Sequence, residues 1–132
     1  MTDEEREALF RLWIDRLMLQ NWSISALLNA GIGEMQDRRA AGECAYRTTI
    51  RSAEIHILRQ DAYADPNAYD FEATLVHELL HIKLGIVYDT LEGAALELLH
   101  QAINDLSIAL ARAGHCGAQS TARASPEGGE GG

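Results

Sequence analysis

The sequence predicts an α+β fold: an N-terminal helix, a small three-stranded sheet, then two helices separated by a glycine. Three observations carry this. A capping-box spacing opens a helical period at the N-terminus, residues 21–58 hold short apolar–polar alternations, and helical periods over 70–84 and 91–112 flank Gly85. Strands grouped together and followed by helices mark a layered α+β protein rather than an alternating βαβ one. No internal repeat is visible, and 132 residues suit one domain.

The first helix is expected over 3–19. Thr2 and Glu5 have the capping-box spacing, and Ala8, Leu9, Leu12, Trp13, Arg16 and Leu17 follow the helical period with one polar exception. From Asn21 to Leu28 the pattern changes: Trp22, Ile24 and Ala26 alternate with Ser23 and Ser25, as in a strand. Asn29–Gly33 reads as a break and 34–42 as a polar connection. Cys44–Ile50 and Ala53–Leu58 are two further strands. In the second, Ala53, Ile55 and Ile57 face one way, and Glu54, His56 and Leu58 the other. Residues 59–69 are loop by their Asp, Asn and Pro content. Asp70 is placed to cap a helix running to about Lys83. The last helix, Leu91–Arg112, has an apolar stripe of Leu96, Leu99, Ala102, Ile103, Leu106, Ala109 and Leu110. The domain is therefore expected to occupy 1–112. Residues 113–132, rich in Gly, Ser, Pro, Ala and Glu, read as a disordered tail.

Composition narrows the function classes. Acidic residues outnumber basic ones 20 to 11, a net charge of −9. That sign opposes phosphate binding, so no nucleic-acid partner is expected. No apolar run approaches the ~20 residues of a membrane span, so no membrane association is expected either. The opening Met1-Thr2-Asp3-Glu4-Glu5 has the wrong charge for a signal peptide. Cys44 and Cys116 form no CxxC pair and read as free thiols, which together point to a cytoplasmic protein.

One motif carries chemistry. His77-Glu78-Leu79-Leu80-His81 is HExxH. Residues four apart share a helix face, so both imidazoles can reach one ion from a rigid element. Glu78 then lies beside the ion rather than on it, where it can take a proton from the activated water and deliver it to a leaving amine. Zinc is the expected cofactor, and nickel, cobalt or iron would fit less typically. Chance gives about 2% for one such pentapeptide in a chain of this composition. The motif also falls inside the apolar run Phe71, Leu75, Val76, Leu79, Leu80, Ile82, Leu84, the helical context the chemistry needs.

A third ligand is required. No His follows in the GxxH extension of the longer metzincin motif, because Gly85 leads into Ile86-Val87-Tyr88. The last helix offers Glu92, Glu97, His100 and Asp105. With Leu96 set to zero and about 100° per residue, the apolar stripe centres near 290°. On this scale His100 falls at about 40°, Glu97 at about 100° and Asp105 near 180°. Glu92, at about 320°, lies near the stripe centre, but in a first turn where the helix dipole also accounts for a carboxylate.

Residues 44–111 resemble the small phage- and bacterium-encoded zincins related to the ImmA/IrrE and SprT-like groups. The likeness rests on Ala53-Glu54-Ile55-His56-Ile57, a loop, Thr74-Leu75-Val76-His77-Glu78-Leu79-Leu80-His81, and the helix His100-Gln101-Ala102-Ile103-Asn104-Asp105-Leu106-Ser107-Ile108-Ala109-Leu110. The resemblance implies a minimal zincin fold with an active-site helix and a ligand helix. It also implies zinc and a third ligand, usually Glu, at the position of His100. An imidazole there keeps the site ligand-competent and removes one negative charge.

Other residues have a bland reading beside a functional one. His56 could line a cleft in which an extended peptide pairs with a strand edge, or be a half-exposed strand histidine. Tyr88, between the ligand helices in a Gly85–Thr90 loop, could donate to an oxyanion, with Tyr63 and Tyr69 as rivals or as loop packing. Trp13 and Trp22 read as core, and His115-Cys116 as an adventitious metal pair in the tail. The leading function is a zinc-dependent peptidase acting on a protein or peptide, with Glu78 as general base. The alternatives are a metal-containing binding or regulatory module without turnover, and a hydrolase of another small amide.

Overall fold

The Thr2–Glu5 pair begins the first helix as its spacing predicts. In the computed structural model, which describes residues 1–123 and side chains through 113, the Thr2 amide donates to Glu5 Oε1 at 2.9 Å and the Glu5 amide to Thr2 Oγ1 at 3.1 Å. Two orphan donors are thus satisfied reciprocally, and α1 spans Asp3–Arg16. It stops short of residue 19 because Met18 enters the left-handed region at φ 57°. Its packed face is Leu9, Phe10, Trp13, Ile14 and Leu17. Ala8 and Leu12, expected on that face, are exposed.

Three strands follow: β1 (Ser23–Ala30), β2 (Gly42–Arg47) and β3 (Ser52–Leu58). The sheet order is β1-β3-β2, with β1 parallel and β2 antiparallel to the central β3. β1 reaches into the expected break because Ala30 pairs with Leu58 beyond an irregularity in the register. β2 ends before Ile50. Residues 48–51 instead make the hairpin turn, closed by the Arg51 amide on the Thr48 carbonyl at 3.4 Å, with Arg51 at φ 50°. Ala53, Ile55 and Ile57 are buried on one face of β3, as alternation predicts. Leu58 points the other way and is still buried, in a small second core with Ala30 and Met35.

The helices cover the Ile55 face. Asp70 Oδ1 accepts from the Ala73 amide at 3.0 Å and starts α2, Phe71–Lys83. Leu75, Val76 and Leu79 have no exposed surface. Trp13 is buried and donates its indole N–H to Glu72 Oε2 at 2.7 Å, fastening α1 to α2. Trp22 is half-buried against the same core. Residues 85–90, expected as a loop, form a short helix, α3 (Gly85–Thr90). A side chain at Gly85 would stand 2.8 Å from the Tyr46 ring, so glycine is what lets α3 lie against β2.

α4 begins at Gly93, so Glu92 precedes it and is exposed rather than set in a first turn. Its buried line is Ile103, Ser107 and Ala111, flanked by the half-buried Leu96, Leu99 and Leu110. Ala102, Leu106 and Ala109, expected in the stripe, face out. The buried Ser107 hydroxyl donates to the Asn104 carbonyl at 2.7 Å, so a small polar residue sits at the α2–α4 contact without an orphaned group. The helix continues to Arg123, past Arg112 where its end was expected. It does so through Gly114 and Gly117, and no proline intervenes before Pro126. The rest of the expected tail, 124–132, and the side chains of His115 and Cys116 lie outside the described residues. Among the described residues no helix is long and apolar enough to cross a membrane.

The rotated stripe is testable by equilibrium urea unfolding. Ile103→Ala, at a fully buried site, should cost about 2–5 kcal/mol. Leu106→Ala, at a side chain 46% exposed, should cost less than about 1 kcal/mol.

Candidate metal centre

His77 and His81 sit one turn apart on the single stripe of α2 that is not packed into core. Their Nε2 atoms are 3.1 Å apart and both rings are half-buried. His100 comes to them from α4, on the helix line that includes Ile103 and Ser107. Its ring centroid is 5.6 Å from that of His77 and 5.4 Å from that of His81. One nitrogen from each of the three imidazoles lies within 4.8 Å of the others. His100 is itself exposed; Glu97 and Asp105, the other third-ligand candidates on α4, are likewise exposed but stand outside this cluster, as does Glu92 before it.

The His77–His81 pair of this donor set has the spacing of two ligands on a tetrahedral ion. Zinc–imidazole bonds of about 2.0–2.1 Å place two ligand nitrogens roughly 3.3 Å apart, close to the 3.1 Å separation of His77 and His81. The electrostatics agree. Burial, then the neighbouring His77 and His100, hold His81 at about 4. Burial and His100 likewise lower His77, against a smaller upward pull from Asn104. Both rings are therefore neutral at physiological pH, the form that ligates a metal.

Glu78 is the buried acid of the site, 6% exposed. Burial, and after it the Glu43 carboxylate, push its pKa up to about 8. Its position depends on Gly42 of β2: a Cβ there would lie 2.7 Å from Thr74 Cγ2 and 2.9 Å from Glu78 Oε2. Cys44, also on the helix-facing side of β2, has its thiol pushed up to about 12 by burial and by Glu78, so it is inert rather than nucleophilic. A cavity of about 460 Å³ opens beside His77 and Glu78, with Gly42, Thr74, Asn104 and Tyr63 among its walls.

The remaining candidates separate cleanly. His56 does not line this cavity. It lies on the opposite face of the sheet, with Nδ1 2.7 Å from Glu43 Oε2 and Nε2 2.7 Å from Glu54 Oε1. Burial opposes its protonation, but the two carboxylates outweigh that and raise its pKa. Tyr69 gives its hydroxyl to the Leu58 carbonyl at 2.7 Å and is committed to the fold. Tyr63 packs edge-on against Tyr69, with centroids 5.6 Å apart. Tyr88 packs on the cluster, its ring 5.1 Å from that of His81. Tyr46 donates to Asp89 Oδ1 at 3.0 Å and so pins α3, which carries Tyr88.

Gly42 and Asn104 line the site's cavity and were missed by sequence reasoning. The only local sign was Gly42 at the head of the Glu43-Cys44-Ala45-Tyr46 alternation, which becomes meaningful once β2 is known to lie beside α2. Comparison with protein-family models, curated proteins and solved structures finds no match for this chain. What the site can do therefore follows from its own residues.

Burial of Glu78 makes metal-free stability depend on pH. A carboxyl whose folded pKa is raised stabilises the fold fully below its unfolded pKa, and that contribution is lost as pH rises through the folded value. For Glu78 the window runs from 4.5 to about 8. The depressed His81 acts oppositely, its contribution being lost as pH falls from 6.5 toward about 4, but it is common to wild type and to a Glu78 variant. Metal-free Glu78→Gln should thus match wild type in Tm near pH 4.5 and exceed it above about pH 8. Equal melting at the higher pH would contradict the buried carboxylate.

Proposed function

We propose that the protein is a zinc-dependent peptidase of the minimal zincin kind, as its resemblance to the ImmA/IrrE- and SprT-like groups implies. The observation that carries the reading is three histidines whose ring nitrogens gather within 4.8 Å, next to a buried glutamate that belongs to no ligand set. A purely structural zinc site has no use for that glutamate. A bound zinc ion would supply Lewis-acid polarisation of the scissile carbonyl and would acidify water.

The chain's own residues would do the rest. His77, His81 and His100 would hold the ion. Their side chains offer three ligands, leaving an open position in a tetrahedral set. Glu78 would accept the water proton and pass it to the leaving amine. Without metal its carboxyl is raised to about 8, and a nearby cation would favour its charged form. The burial that raises the pKa also helps it keep the proton long enough to act as the acid. Tyr88, whose ring packs on His81, or Tyr63, which lines the cavity at Glu78, would donate to a developing oxyanion. The free outer edge of β2 borders the cavity and could pair with an extended peptide. With net charge −9, a protein or peptide substrate is favoured over a nucleic acid.

The test is zinc-loaded protein against a peptide library. Glu78→Gln should retain metal and lose roughly 10²–10⁴-fold in turnover. His100→Ala should lose metal by elemental analysis after dialysis, whereas Glu97→Ala and Glu92→Ala should keep it. Wild type that is full of zinc yet cleaves nothing would favour a binding or regulatory module without turnover.

A further inference from the structure

The cavity at Glu78 is lined along α4 by Asn104, Ser107, Ile108 and Arg112, a groove between that helix and α2. Gly42, Thr74 and Glu78 border it on one side, and Asn104, Ile108 and Arg112 on the other. The last three are spaced i, i+4, i+8, one ridge of the helix. α2 and α4 run in opposite directions here: His77 and His81 meet His100, while Thr74 shares the groove with Ser107 and Ile108. The groove therefore leads away from the histidines on the Glu78 side. His100 and Arg112 are twelve residues apart on one helix, which at 1.5 Å per residue is about 18 Å. An extended peptide covers that distance in about five residues, and the length of the arginine side chain shortens it.

Arg112 is the one arginine or lysine among the groove's lining residues. The acids there have other partners or roles: Asp70 accepts from the Ala73 amide at the start of α2, and Glu78 stands at the reaction centre. Elsewhere the chain is strongly acidic, net −9, so it repels anionic ligands in general. A local preference for them must come from a local cation. A guanidinium suits a carboxylate because its planar fork can donate two parallel hydrogen bonds.

We propose that this groove seats the part of an extended substrate lying on the Glu78 side of the scissile bond, and that Arg112 reads a carboxylate there. The carboxylate would sit about three to five residues from that bond. The inference rests on the peptidase reading for its substrate, and it names the substrate class: peptides acidic at that distance. The same carboxylate chemistry is offered by an Asp or Glu side chain and by a peptide's C-terminus.

The experiment uses the full chain and positional-scanning decapeptide libraries, each fixing Glu, Gln or Lys at one position, made with free and with amidated C-termini. Cleavage by zinc-loaded wild type is read by mass spectrometry, and retention of the uncut libraries by the zinc-loaded Glu78→Gln variant by ultrafiltration. Glu at one position in the predicted range should be favoured over Gln by about tenfold, and more weakly at high salt. Arg112→Gln should abolish the preference and Arg112→Glu should turn it toward Lys. A preference that survives amidation assigns the carboxylate to a side chain, and one that vanishes on amidation assigns it to the C-terminus. Both support the groove. Retention that is equal for Glu and Gln libraries and unchanged by amidation, or a preference unchanged in Arg112→Glu, overturns it even if wild type is an active peptidase. Arg112-dependent retention with no cleavage by wild type upholds the groove and overturns the peptidase reading instead.

Discussion

The structure depends on α2 being buried on most of its circumference while keeping one polar stripe. Phe71, Leu75, Val76, Leu79, Leu80 and Ile82 are all buried, which fixes the helix between the sheet and α4. At about 25 cal/mol per Å² of apolar area removed from water, such a helix is the chief apolar contributor to a core of this size. The same burial fixes the chemistry. Three polar groups on the stripe, His77, Glu78 and His81, are carried into a partly desolvated site, where burial leads the causes that lower the two imidazoles and raise the carboxyl. Low dielectric thus sets neutral ligands beside a reluctant acid, a combination that costs stability and that clusters at functional sites.

The other elements serve that helix. β2 presents Gly42 to Glu78 and Thr74, where any side chain would collide. α3, held by the Tyr46–Asp89 hydrogen bond, lays Tyr88 against His81. α4 brings His100 into reach because its contact with α2 runs through Ile103 and Ser107. A larger residue in place of the fully enclosed Ser107 would hold the two helices apart and withdraw His100 with them. His56, Glu43 and Glu54 form a charged cluster on the far face of the sheet. Glu43 also accepts from the Gln36 and Asp37 amides at 2.8 and 2.9 Å, tying the connection before β2 to the sheet.

What could be read from the sequence was local. The Thr2–Glu5 box, the Asp70 cap, the HExxH helix and the alternation of Ala53, Ile55 and Ile57 each depend on neighbours a few residues away, and each appears in the fold. Features set by distant partners were misread. Thr48, Thr49 and Ile50 are β-formers by propensity, yet the antiparallel partner makes them a turn. Ile86 and Val87 gave no helical signal, and α3 forms over them all the same. The period of α4 offers more apolar positions than the body covers. Its phase therefore came out rotated, with Leu106 and Ala102 outside and Ser107 within. For the same reason helical phase alone could not choose among Glu92, Glu97 and His100. Only the packing of α4 on α2 brings His100, and not the two glutamates, into the cluster.

The central claim is that one ion is held by His77, His81 and His100. X-ray absorption at the zinc edge on the loaded protein measures it most directly. The account predicts a four-coordinate site with three imidazole nitrogens at about 2.0–2.1 Å, falling to two imidazoles in any residual zinc of His100→Ala. A spectrum with only two imidazoles in the wild-type protein, unchanged by that substitution, would contradict it.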